Sequence, residues 1–268
     1  MATSFQTLDW YDAPKYYDII FDVETEEEAD FLEAVHEALG PKVNGRSLPR
    51  ALEPACGSGR LVVELADRGW RVEGNDISQP MLDYARERLR SKGLLRRARL
   101  SQGDMSHVSV KQPVHLAHCG VSTFKYLLDE TSARSHLASV AGCLAPGGLY
   151  LLGFHLTNYE TSKESVERWR VEQDGLDVRC SIRGWPADKR KRREKVRSRL
   201  RVVEDGQQKR SETEWYFRTY NARQVRNLLR AVPELEHIAS FDFTYDIEAP
   251  RKLDDEYEDI VLVLRKRE

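Results

Sequence analysis

Apolar positions along the chain change period several times, and each change predicts an element. Phe31, Leu32, Val35, Ala38 and Leu39 fall on one helical face. Thr25 and Glu28 have capping-box spacing, and Glu24, Glu26, Glu27 and Glu28 suit the positive end of that helix. Gly40-Pro41 ends it. From residue 50 short apolar runs alternate with helical patterns. Residues 50–53 and 70–75 read as strands, a third strand ends near Gly103-Asp104, and 114–119 and 149–154 read as two more. Between them, Leu61, Val62, Leu65 and Ala66 make one helical face, and Met81, Leu82, Ala85 and Leu89 make another after Ser78-Gln79-Pro80. Ala145-Pro146-Gly147-Gly148 reads as a turn into the fifth strand. Strands and helices alternating at this spacing predict βαβ units and a largely parallel sheet.

After His155 the helical period disappears. Turn signals fall at Asp174-Gly175, Gly184-Trp185-Pro186 and Asp205-Gly206. In 195–202, Lys195, Arg197, Arg199 and Arg201 alternate with Val196, Ser198, Leu200 and Val202, which predicts a strand with one basic and one mostly apolar face. The expectation is an antiparallel insertion of three or four strands over 161–220. A helix at 221–231 and strands near 237–245 and 259–266 then complete an α/β fold. That fold is a Rossmann-like, seven-stranded, mostly parallel sheet flanked by helices, with the β insertion after strand five. Residues 1–160 and 221–268 would form the main domain, with 1–40 as an acidic helix and lid and 161–220 as a cap.

Composition adds little until it is mapped. The 268 residues are 40% hydrophobic and 32% charged, with a net charge of -2, which excludes a disordered chain and argues against a general polyanion binder. No stretch approaches the roughly 20 apolar residues of a membrane helix. The N-terminus lacks a basic segment followed by an apolar core, so a cytoplasmic chain is expected. Cys56, Cys119, Cys143 and Cys180 form no C-x-x-C pair and no zinc-like cluster, so free thiols and no metal are expected. The charge itself is uneven. Residues 1–40 hold one base and eleven acids, while 161–220 hold seventeen bases and eleven acids. The basic insert is expected to be a solvated hairpin or a partner for the acidic N-terminal segment.

The segment richest in chemistry is Leu52-Glu53-Pro54-Ala55-Cys56-Gly57-Ser58-Gly59-Arg60, a strand running into a glycine turn and a helix. A dinucleotide site wants a third glycine, where Val62 stands. A phosphate loop wants G-K-[ST], where Gly59 is followed by Arg60-Leu61. A nucleophile elbow wants glycine two positions before the serine, where Cys56 stands. What remains is an acid at the end of each of the first two strands, Glu53 and Asp76, around Gly57-x-Gly59. That suits a ligand with a cationic amino-acid end and a ribose but no phosphate, such as S-adenosylmethionine.

At these residues the sequence resembles the class I S-adenosylmethionine-dependent methyltransferases. Glu53 to Gly59 resembles their glycine motif, with Ala55 in place of the usual first glycine. Asn75-Asp76-Ile77-Ser78-Gln79-Pro80-Met81-Leu82 resembles the second motif, whose acid binds the ribose. Gly103-Asp104-Met105 resembles the third, which holds the adenine, and Leu144 to Leu149 resembles the turn before strand five. The resemblance implies a cofactor site of Tyr17, Glu53, Ala55, Cys56, Gly57, Gly59, Asp76, Ile77, Gly103, Asp104, Met105 and Cys119. Adenine-N6 DNA methyltransferases share the glycine motif but also carry an Asn/Asp-Pro-Pro-aromatic tetrapeptide. Here that position reads Cys119-Gly120-Val121-Ser122-Thr123-Phe124, and the chain has no Pro-Pro pair. The layout better resembles small-molecule methyltransferases of the glycine and amino-sugar N-methyltransferase type. That implies Tyr17, or its neighbours Tyr11 and Tyr16, against the methionine end of the cofactor.

A small-molecule acceptor methylated on N or O is the leading expectation. His118, Cys119, Ser122, Tyr126 and His155 are placed at the mouth of the sheet, with His155 and Tyr17 as candidate catalytic groups. Trp169, Trp185 and Trp215 would form either a lid or the core of the insert. The alternatives are an RNA or protein acceptor held by Arg197, Arg199 and Arg201, and a non-catalytic S-adenosylmethionine-binding protein.

Overall fold

A computed structural model describes residues 12–45, 47–173, 175–204 and 206–267. Tyr11, and Asp174 and Asp205 of two expected turns, lie outside those residues. The chain starts with α1 (Pro14–Phe21) and α2 (Thr25–Leu39). There follow β1 (Arg50–Pro54), α3 (Arg60–Asp67), β2 (Arg71–Asp76), α4 (Gln79–Ser91), β3 (Ala98–Gln102), β4 (Val114–Cys119), α5 (Glu130–Cys143) and β5 (Leu144–His155). Four strands come next: β6 (Ser165–Gln173), β7 (Leu176–Gly184), β8 (Arg193–Glu204) and β9 (Gln207–Arg218). Helix α6 (Ala222–Arg230) and strands β10 (Leu235–Phe241) and β11 (Asp259–Lys266) end the fold.

The main sheet has seven strands in the order β10-β11-β5-β4-β1-β2-β3, and only β11 runs against its neighbours. Its side chains alternate between two cores. Leu52, Ala117, Leu152 and Leu262 face Leu137 of α5 and Val225 and Leu228 of α6. Ala51, Leu116, Leu151 and Val263 face Leu32 of α2, Leu65 of α3 and Leu82 of α4. Strands buried on both faces explain the near-continuous apolar runs in the sequence. The strand order reverses between β1 and β4, and the crevice beyond their C-terminal ends is where ligands bind in such sheets.

The insertion is a separate sheet in the order β6-β7-β8-β9, antiparallel throughout. Val196, Ser198, Leu200 and Val202 are buried as the alternation predicts. Val178, Leu200 and Val202 pack against Ile20, Tyr16 and Tyr17 of α1, so α1 is covered by this sheet.

Several local expectations are corrected. Thr25 and Glu28 form no capping box: the N-cap is Glu24 without a side-chain bond. Both side chains turn instead to Arg60, whose guanidinium offers charged partners that a helix cap does not. Ala38 is exposed and Ala29 takes its place on the buried face. The stretch 145–148 lies inside β5 as an irregularity rather than before it; pairing jumps from Val114↔Leu144 to Leu116↔Leu149, and Gly147 sits at φ +72°. Strand β10 stops at Phe241, not Tyr245, because the Asp242 carboxylate accepts from the Thr244 backbone N at 3.0 Å and folds the chain into a turn.

Among the described residues, the acids of the N-terminal segment do not pair with the bases of the insert. They meet arginines of α3 and α4: Glu28 with Arg60, Asp30 and Glu33 with Arg68, and Asp18 and Asp22 with Arg88. The insert neutralises much of itself across the ladder, Arg197 and Arg199 meeting Glu212 and Lys195 meeting Glu214. Cross-strand opposite charges of this kind are favourable at short range, and pairing them leaves less charge for a distant partner.

Candidate active site

The glycine turn is built from left-handed backbone. Ala55, Gly57 and Gly59 have φ of +53°, +52° and +73°. Gly59 is required by packing as well, since a Cβ there would meet the Ala85 Cβ of α4 at 2.7 Å. A Cβ on Gly57 would meet nothing within 4 Å, so the turn faces open space at that point. Ala55 holds a conformation that L side chains resist by about 1–2 kcal/mol, partly offset by glycine's greater unfolded-state entropy of about 0.4–1 kcal/mol. Ala55→Gly is therefore expected to raise unfolding stability by about 0.5–1 kcal/mol in urea titration.

Asp76 closes the turn. Its Oδ2 accepts from the Gly57 backbone N at 2.8 Å and its Oδ1 from the Ser78 N at 2.8 Å. Burial raises the Asp76 carboxyl above its ordinary range, and these amides oppose that shift. Ser78 caps α4 by accepting from the Met81 N. Beside Asp76, Ile77 is 71% exposed, an apolar side chain left open at the rim. Asn75 Nδ2 donates to the Gly103 carbonyl at 3.0 Å and ties the third motif to the second. Asp104 caps the turn at 105–107 through the Ser106 N at 2.7 Å, which holds its carboxyl below the ordinary range. Its side chain is otherwise exposed, and Met105 beside it is half-buried.

Glu53 ends β1 in a different environment. Burial pushes its carboxyl up to about 8, against the pull of Arg60, with Glu28 and Asp76 adding to the rise. Its Oε2 is buried with no hydrogen-bond partner. His118 Nδ1 lies 4.0 Å away from Oε1, and burial takes that imidazole down to about 3, so it is neutral. Tyr17 of α1 faces the same cluster. Burial pushes its hydroxyl up to about 12 against the pull of Arg60, with Asp76, Glu28 and Glu53 adding to the rise. Tyr17 therefore keeps its proton at neutral pH and can donate a hydrogen bond but not act as a base. Glu28 already balances the Arg60 guanidinium, so Glu53 is able to take a further cation when it gives up its proton.

The side chains of Cys56 and Cys119 are both buried. Cys56 points into the sheet, where a Cβ on Gly74 would meet its Sγ at 2.9 Å. Cys119 is buried and bonded to Tyr150, and burial pushes its thiol up to about 12. All four cysteines are free and buried.

Helix α1 is latched over the turn by a residue the sequence did not single out. Ser58 Oγ donates to Asp18 Oδ1 at 2.8 Å, Tyr84 Oη donates to Asp18 Oδ2 at 3.3 Å, and Arg88 also reaches Asp18. On its other side, Lys15 and Tyr16 bond Glu204 of β8 at 2.7 and 2.9 Å.

At the mouth, His155 ends β5 directly opposite Asp259 of the antiparallel β11. His155 Nδ1 and Asp259 Oδ1 are 2.6 Å apart. A carboxylate only accepts, so Nδ1 carries the proton and Nε2 is left as the acceptor. Phe243 packs edge-on against the ring at 5.2 Å. Ser122, at φ +64°, accepts from the His155 backbone N at 3.3 Å. A cavity of about 310 Å³ opens beside this pair, lined by Asp242, Phe243, Thr244, Tyr257, Glu258 and Asp259. Asp259 was not foreseen; only the β5–β11 register brings it to His155.

The three tryptophans of the insert are half-buried and do not form one lid. Trp169 packs on Phe21, Trp215 stacks on Tyr126, and Trp185 lies under Lys195 and Arg197. Among the described residues no three His, Cys, Asp or Glu side chains are grouped to hold a metal, and no helix is long and apolar enough to cross a membrane.

The sequence model of a family described as a methyltransferase domain matches residues 51–148. This segment is similar to a methyltransferase domain. It contains β1, the glycine turn, Asp76, Asp104 and β4, and ends inside β5. A putative methyltransferase of Geobacillus sp. (strain WCH70) is 28% identical over 108 residues, covering 40% of this chain and 43% of that protein. The match thus spans less than half of that curated relative. Among solved structures, an S-adenosylmethionine-dependent methyltransferase of Clostridium acetobutylicum superposes with a TM-score of 0.74 at 20% identity, over 95% of this chain and 97% of that one. The sugar N-methyltransferase KedS8 of a Streptoalloteichus species superposes with a TM-score of 0.72 at 16% identity, over 100% and 99%. At these identities the likeness is one of fold, and it extends beyond residues 51–148 through the inserted sheet.

Proposed function

We propose that the protein transfers a methyl group from S-adenosylmethionine to the nitrogen of a small amine. The residues fit that cofactor. Asp76, held at the end of β2, would take the ribose hydroxyls, with Ile77 and Met105 against the adenine and Asp104 on its amino group. Glu53 has a buried oxygen without a partner, and Glu53 and Tyr17 would meet the cationic methionine end. When bound, the cofactor supplies an electrophilic methyl on a sulfonium, which the acceptor takes by in-line displacement.

The observation that carries the acceptor class is the acidic, aromatic cavity beside His155 and Asp259. Arg251 already pairs with Asp242 and lies over Tyr257, but Glu258 and Asp259 with Phe243 still favour a cation, as an ammonium ion is at neutral pH. Such an amine must lose a proton before its lone pair can attack. His155 Nε2 would take it, with Asp259 fixing the tautomer and stabilising the imidazolium. Positioning and exclusion of water by α1 supply the rest. The fold likeness to a sugar N-methyltransferase agrees with this reading.

Incubation with methyl-labelled cofactor and a matched panel of amines and alcohols tests it. Label on an amine is expected; label on alcohols alone contradicts the acceptor class. Asp76→Ala is expected to weaken cofactor binding about 30-fold or more, since charged hydrogen bonds to the ligand are worth about 1.5–3 kcal/mol. Calorimetry reads it, and an unchanged affinity means the ribose site is elsewhere.

A further inference from the structure

The outward face of the inserted sheet carries a row of like charges that stability does not explain. Cross-strand register aligns Arg170 with Arg179, Arg179 with Arg201, and Arg201 with Arg210, one arginine from each of the four strands. The pleat puts all four on the face opposite Val178, Leu200 and Val202, which pack on α1. The next row holds Arg168, Ser181, Arg199 and Glu212, the last paired with Arg199. Ser181 is the one short side chain among six arginines, and a groove of about 410 Å³ lies over it.

Like charges directly opposite each other destabilise a sheet. Nearby carboxylates relieve only part of this row. Asp177 is shared by Arg170 and Arg179, and Glu212 is taken by Arg199. Arg201 meets the neutral Gln208 Oε1 at 3.2 Å, and its Nε is buried with no partner. Arg168 is exposed, and the ion pairs of the patch go to Arg170, Arg179 and Arg199. Guanidinium groups converging on a small polar floor match the geometry of phosphate oxygens, which they bind bidentately.

We infer that this groove binds a compact phosphate-bearing small molecule, with Ser181 as its floor and the arginine row as its walls. A compact ligand is favoured over a long polyanion because acids bound the patch. Glu172 and Asp177 lie at one end, and Glu212 and Glu214 pair with the β8 bases toward the other. A nucleic-acid backbone running along the sheet would meet these carboxylates. The inference is independent of the methyl-transfer reading, since the groove faces away from α1.

Calorimetric titration of inorganic triphosphate into the full chain tests it. Saturable one-to-one binding is expected at about 0.15 M salt, where diffuse surface attraction is largely screened. Arg201→Ala and the more exposed Arg168→Ala should each weaken it about tenfold, as loss of a charge-assisted bond does. Ser181→Glu, which puts a carboxylate on the floor, should abolish it. The circular dichroism spectrum and denaturation midpoint should be unchanged in all three, which shows that they fold. Lys189→Ala/Lys191→Ala, outside the groove, should bind triphosphate as the parent does. Absence of saturable binding, binding that survives Ser181→Glu, or an equal loss in the lysine variant overturns the inference. So does a short single-stranded RNA that binds more tightly than triphosphate and is indifferent to Ser181→Glu.

Discussion

His155→Ala is expected to lower turnover of a basic amine about 10²–10⁴-fold at neutral pH, the range of a positioned general base. Cofactor affinity should stay within about twofold, because His155 sits at the end of β5 beside β11 while Glu53 and Asp76 end β1 and β2. Asp259→Asn keeps the shape but no longer fixes Nδ1–H as firmly, and a loss of about 10-fold or more is expected. The informative comparison is between acceptors. A weakly basic amine arrives with its lone pair free and needs no base, so the His155→Ala defect should shrink for it. A defect of equal size for both acceptors would make His155 a packing residue held by Phe243 and Ser122. Steady-state rates for two amines of different basicity decide the matter.

Glu53→Gln is expected to move stability and binding in opposite directions. The folded protein holds the Glu53 proton up to about pH 8, against 4.5 for the ordinary carboxyl. A carboxyl raised in this way contributes fully to stability below the unfolded value, and that contribution is lost as pH rises through the folded one. Between those limits the native state binds the extra proton, so stability falls with increasing pH. Glutamine does not titrate. The variant should therefore match the parent near pH 4 and exceed it above pH 8 by on the order of 2 kcal/mol. Denaturant midpoints across that range measure the difference. Cofactor binding should weaken about tenfold or more, since the neutral amide offers no charge to a cation. A variant no more stable than the parent at pH 9 would mean that folding does not raise the Glu53 carboxyl.

The parallel sheet was legible because strands buried on both faces write themselves as continuous apolar runs, and because β1 and β2 each end in an acid beside a helix start. The inserted strands were legible from the alternation at 195–202. Other features depended on register and three-dimensional approach. Glu28 spaced correctly for a cap yet turned to Arg60, 32 residues away. Asp18 looked like one acid among eleven, and becomes a latch only when α1 lies across Ser58 and α4. Asp259 meets His155 across 104 residues, through a strand direction that no local pattern reveals. The charge asymmetry was real, and of its two expected resolutions the pairing of the N-terminal acids with the insert is the one absent among the described residues. The N-terminal acids found arginines on the helices beside them rather than in the insert.

The central claim is that the glycine turn between Glu53 and Asp76 takes a cationic nucleoside cofactor. Titration of S-adenosylhomocysteine, which keeps the ribose and the ammonium group, into the protein at pH 7 tests it most directly. The experiment is run in two buffers of different ionisation enthalpy. The prediction is one-to-one binding with release of about one proton, as the bound cation lowers the raised Glu53 carboxyl, and loss of that release in Glu53→Gln. Folded protein that binds no S-adenosylhomocysteine, or binds it with no proton release in either form, contradicts the account.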